Sequence, residues 1–107
     1  MDKLVAFLKD KKNELDTYTK AITKVHGQAH PEVFQVRQIY LTMQAKIDQG
    51  EAELDQEFEQ LAQVTGHYDL PEDACQAFSK VYQDLKQADQ LRQNTNKFNL
   101  KQNIDEG

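Results

Sequence analysis

Ile22-Thr23-Lys24-Val25-His26-Gly27-Gln28-Ala29-His30-Pro31-Glu32-Val33-Phe34-Gln35-Val36 closes one apolar stripe and opens another. Upstream, Leu4, Leu8, Leu15, Tyr18, Ile22 and Val25 recur at spacings of three, four or seven, the period of one helical face. Lys11 fills the missing slot of that stripe, and its stem is expected along the seam with the amine in water. Gly27 follows the last apolar position and reads as a helix stop. Pro31 suits the first position of a new helix, because its missing N–H would have no partner there. Glu32 then places negative charge in the first turn, where the helix dipole favours it. The spacing therefore predicts a first helix over residues 2–25 and a second beginning at 31.

Working outward, Val33, Val36, Tyr40, Met43, Ile47, Leu54, Leu61 and Val64 keep the same rhythm to about Thr65. Read as continuous, this is a middle helix of about 50 Å. Gly50 sits between Ile47 and Leu54, at a cost of about 1 kcal/mol relative to Ala, and marks the place for a kink, a break or a close crossing. Gly66-His67-Tyr68-Asp69-Leu70-Pro71 forms a second hinge, again ending in a proline suited to a helix start. Ala74, Phe78, Val81, Leu85, Ala88, Leu91 and Phe98 make the third stripe, over residues 71–100, with 101–107 left as a polar, frayed tail. The expected fold is all-α, a three-helix up-down bundle with a long middle helix, in a single domain.

Bulk composition narrows the function classes. The 107 residues fit one compact domain, and an apolar share of 38% makes a thin core that invites burial against a partner or a second copy. Residues 1–50 carry eight Lys and Arg against six Asp and Glu, and residues 51–107 carry five against twelve. An acidic second half argues against nucleic acid, which calls for concentrated positive charge. The Lys9, Lys11, Lys12 cluster reads as a solvated helix face. No apolar run approaches membrane-spanning length, and nothing near the N-terminus reads as a signal peptide, so the cytoplasm is the expected location.

Candidate chemistry is sparse. His26 and His30 are four apart, the spacing that puts two imidazoles on one helix face, although Gly27 and Pro31 interrupt that helix. His67 stands alone in the second hinge. Glu51, Asp55 and Glu59 share i, i+4 spacing and read as a solvated acidic face able to attract a hard cation weakly. Cys75 has no disulfide partner and is expected to be an inert, partly buried thiol. Ser79 has no His within helical reach, and no glycine-rich phosphate loop occurs. No enzyme is expected.

The two hinges together carry a resemblance. Lys24-Val25-His26-Gly27-Gln28-Ala29-His30-Pro31-Glu32-Val33 resembles the VHG..HPE(L) segment of the repair-of-iron-centres proteins. Leu61-Ala62-Gln63-Val64-Thr65 followed by Pro71-Glu72-Asp73-Ala74-Cys75 is similar to that family's L..LT…PEDAC junction, and Tyr82, Leu85 and Leu91 follow its last helix. The likeness covers roughly residues 15–99. It implies a hemerythrin-like bundle and a role in repairing iron–sulfur clusters after nitrosative or oxidative damage. The family holds two irons through inward H-x-x-x-E pairs. This chain has Asn94, Phe98 and Asn99 where the last such pair would fall, carboxylates only at Glu51 and Asp55, and Val5 and Leu8 near the ligand turn of helix one. The resemblance thus implies a shortened relative whose di-iron ligands are mostly replaced, with His26 retained beside His30 and Glu32. No cofactor is expected in one chain. Three roles follow. The first is a binding or accessory factor in iron–sulfur repair, completing its bundle as a homodimer or on a protein partner. The second is a metal-free interaction module unrelated to iron. The third is a metal site, iron included, shared between chains through His26, His30, Glu51 and Asp55.

Overall fold

In a computed structural model of the chain, residues 2–106 are described, with side chains through Asn94. Five helices follow in order: α1 (Lys3–Asp10), α2 (Lys12–His26), α3 (Glu32–Asp48), α4 (Asp55–Thr65) and α5 (Gln76–Glu106). The all-α expectation holds. Among the described residues no helix is long and apolar enough to cross a membrane.

The expected first helix is a bent pair. Asp2 caps α1 by accepting from the Leu4 and Val5 amides at 2.9 and 3.4 Å. At Lys11 the backbone leaves helical geometry (φ −92°, ψ 5°), and α2 restarts at the next residue. The Lys11 amine lies 3.9 Å from Glu14 and 6.0 Å from the Phe7 ring, as a stem along the seam would place it.

The long middle helix does not form. Gly50 takes φ +85°, and two hydrogen bonds close α3 around it: Gly50 N donates to Ile47 O at 3.0 Å and Glu51 N to Lys46 O at 2.8 Å. This is a Schellman closure, which needs a left-handed residue at the position after the cap. The same pairing ends α4, where Gly66 N donates to Gln63 O and His67 N to Ala62 O. The break turns one expected helix into two antiparallel ones, so the bundle has four arms rather than three. A dimer is therefore not needed to supply a fourth arm.

α2 lies between α3 and α5, and α4 packs on the far side of α3. α4 reaches α5 through long side chains, with the Arg92 guanidinium 5.6 Å from the Phe58 ring centroid. The core between the arms is mainly apolar, and the carboxylates buried with it, Glu57, Asp84 and Asp89, each face a Lys or Arg. Leu8, Leu15, Ile22, Val36, Tyr40, Met43, Phe58, Leu61, Val81 and Leu85 are each 1% exposed or less. Fully burying one such side chain is worth about 1.5–3 kcal/mol. The stripes named most of this core. Val25, however, is exposed, and Phe58 and Tyr82 join the core from outside the stripes. α5 begins at Gln76, later than expected, and continues through Glu106 where a frayed tail was expected.

Candidate functional site

Both hinges meet at one end of the bundle. α2 delivers His26, the turn before α3 delivers His30, and the 71–75 segment leading into α5 delivers Asp73. His30 Nε2 hydrogen-bonds Asp73 Oδ1 at 2.8 Å and Oδ2 at 3.1 Å, across 43 residues of sequence. Its Nδ1 lies 3.5 Å from Glu32 Oε2, so both ring nitrogens face carboxylates. The hydrogen bond from His30 holds the Asp73 carboxyl below its ordinary range.

Phe78, fully buried in the first turn of α5, supplies the floor. Its ring meets His26 edge-on at 5.0 Å, His30 at 5.7 Å and Tyr82 at 5.0 Å. Burial, with Glu32 adding to it, pushes the Tyr82 hydroxyl up to about 12. His26 Nε2 is buried without a hydrogen-bond partner, and its ring is tilted 49° to that of His30 at 6.3 Å. Gly27 allows this closeness. It is buried with right-handed φ, and a Cβ there would collide with the Thr23 carbonyl and stand 2.6 Å from the Phe34 ring. α2 stops at Gly27 as expected, but with right-handed φ, so the glycine supplies space there and not a left-handed turn.

The four residues expected to share a metal are not together in one chain. His26 and His30 precede α3, and Glu51 and Asp55 follow it. The 17 residues of α3 span about 25 Å. Glu51 is exposed in the 49–54 connection, beside Asp2 and Val5 at the start of α1. It is off the helix, so Glu51, Asp55 and Glu59 do not form one helical acidic face. Asp55 is held by Arg92 at 3.1 Å. Arg92 also grips Asp89 at 2.8 Å, and Asp89 accepts from the Tyr68 hydroxyl at 2.7 Å. Tyr68 and His67 both carry positive φ, 64° and 61°, in the turn that brings the tyrosine to α5. Among the described residues no group of three or more His, Cys, Asp or Glu side chains is arranged to hold a metal ion.

The remaining expected positions divide. Leu8 is buried in the core and Val5 is half-buried against it. Asn94 is exposed on α5 rather than inward. The side chains of Phe98 and Asn99 lie outside the described residues. Cys75 is exposed, not partly buried, and its carbonyl accepts from Ser79 N at the start of α5.

Among the described residues the interior brings together no set of His and Glu side chains of the kind a di-iron centre uses. The carboxylates buried there, Glu57, Asp84 and Asp89, are paired with Lys46, Lys80 and Arg92. The histidine end can do something else chemically: its polar groups lock three chain segments together around Phe78. Comparison with models of known families, with curated proteins and with solved structures gives no match.

Proposed function

We propose that the chain is a divergent repair-of-iron-centres protein acting as a non-catalytic binding or accessory factor in iron–sulfur recovery after nitrosative or oxidative stress. The observation that carries this reading is the His30–Asp73 contact. The two segments that hold the resemblance are far apart in sequence, yet they form one packed junction, as two motifs of a single ancestral scaffold would. The interior supports the accessory role over a di-iron one, since the carboxylates buried in it, Glu57, Asp84 and Asp89, are already paired with Lys46, Lys80 and Arg92.

Deleting the gene and challenging cells with nitric oxide tests the proposal. Recovery of an iron–sulfur dehydratase activity should slow in the deletion strain and be restored by the wild-type gene. Unchanged recovery would sink the link to iron. It would favour a second reading, a metal-free interaction module. That reading draws on a groove of about 430 Å³ between α3 and α4, where Phe34, Ile39 and Val64 lie among glutamines.

A further inference from the structure

Glu14 of α2 and Asp84 of α5 face each other across the interface of the two helices, and neither belongs to the histidine end. Asp84 is 2% exposed. Glu14 Oε2 and Asp84 Oδ2 are both buried, and neither oxygen receives a hydrogen bond from a donor among the described residues. Lys80 Nζ lies within 3.9 Å of both groups and so brings the two carboxyls together, where a proton on one would let it donate to the other. Two carboxylates cannot do this while both are ionised, since each would only accept and the charges would repel. One proton between them satisfies both oxygens at once.

We propose that Glu14 and Asp84 share a single proton across the α2–α5 interface and act as a pH-sensitive clamp, closing the two helices in mildly acidic solution and relaxing them at neutral pH and above. The surrounding charges fit a proton better than a metal ion. Lys80 on α5 stands 3.6 Å from Asp84 Oδ1 and 3.9 Å from Glu14 Oε2, and Lys11 at the α1–α2 junction is 3.9 Å from Glu14 Oε2. These two amines are the charged groups that act on the pair besides the carboxyls themselves. Two positive charges thus already face the pair and leave little attraction for a divalent cation.

The sign of the pH dependence follows from which carboxyl keeps the proton. Burial first, and then the hydrogen bond and charge of Glu14, push Asp84 up from an ordinary 3.8 to about 6. Glu14 moves the other way, lowered chiefly by its hydrogen bond from Asp84. Between these limits the folded chain holds a proton that the unfolded chain releases. The clamp's stabilisation is therefore full below about pH 3.8, declines as pH rises above that value and is lost once pH passes about 6. A displacement of about two pH units corresponds to at most about a hundredfold change in the folding equilibrium.

The test compares thermal unfolding of the wild-type chain and of Asp84→Asn from pH 5 to 7.5. An Asn amide donates to Glu14 without titrating, so the wild type should lose stability relative to the variant as pH rises from 5 to 7.5, by a factor of about ten. Parallel profiles would overturn the proposal. Should the variant fold poorly, the Asp84 carboxyl ¹³C shift of labelled wild-type protein reads the same event, and a flat trace from pH 5 to 7.5 refutes it. Millimolar magnesium at pH 7.5 provides the contrary case. Stabilisation of the wild type that disappears in Asp84→Asn would assign the pair to a cation instead.

Discussion

Gly27, at the histidine end, and Gly50, at the opposite end of α3, look interchangeable in the sequence and differ in every physical respect. Gly27 keeps right-handed φ and is buried, with the Thr23 carbonyl and the Phe34 ring where a Cβ would be. Gly50 has φ +85° and nothing within 4 Å of its missing Cβ. The first glycine permits close packing, and the second permits a turn. The polar groups differ in parallel. At the histidine end, exposed and half-buried groups are joined by His30–Asp73 over an aromatic floor. On the other side, Asp89 is 3% exposed and fully engaged by Tyr68 and Arg92. Burial makes that second network energetically heavier, while the histidine end sets how segments meet.

The largest effect should come from the buried network. Asp89→Ala leaves the Tyr68 hydroxyl without its acceptor and the Arg92 guanidinium with Asp55 alone, and removing one partner of a buried charge pair costs about 3–5 kcal/mol. Urea unfolding measures it, and a loss below about 1 kcal/mol would show that the network is wet and the contrast between the two polar networks is false.

The glycines come next and sharpen the contrast. Gly27→Ala should cost about 3 kcal/mol, the top of the overpacking range, because a backbone carbonyl and a ring must both shift. Trimming the ring should recover part of this, so Gly27→Ala/Phe34→Leu is expected to be more stable than Gly27→Ala alone. Gly50→Ala should cost about 1–2 kcal/mol from the left-handed conformation alone, with no rescue from any neighbouring truncation. Equal rescue at both positions would erase the distinction.

His30→Ala should have the smallest effect on stability. Asp73 is largely exposed and water replaces the lost donor. The expected change is a slight fall in Tm with faster amide exchange confined to residues 26–32 and 71–75. Exchange spreading across the whole bundle would mean that this end carries more of the fold than its exposure implies.

Helical periodicity revealed nearly all of the core, from Leu4 to Ala88, because burial on one face leaves a period that survives in any single sequence. Periodicity alone runs straight through Gly50, where the glycine itself marks a kink, a break or a close crossing, and it does so for a specific reason. Ile47 and Leu54 are seven apart, the spacing a continuous helix would require, so the stripe passes unchanged through the turn. A glycine followed by polar residues was the available signal, and the same signal at Gly27 pointed to conformation where the cause was packing. The histidine end was visible only as two motifs, since the 43 residues between His30 and Asp73 hide their contact. Glu14 and Asp84 left no trace at all. Each looks like an ordinary helix-surface carboxylate until α2 and α5 are brought together.

The interior between the four arms is mainly apolar and its buried carboxylates are already paired with Lys or Arg, so the chain should not carry the iron pair of the family it resembles. Iron content of protein purified without chelators, measured by mass spectrometry across a gel-filtration peak, decides this. Well under one iron per chain is the expected result, unchanged by substituting both His26 and His30 with Ala. Close to two irons per chain, retained through the column, would contradict it and return the metal to the centre of the protein's function.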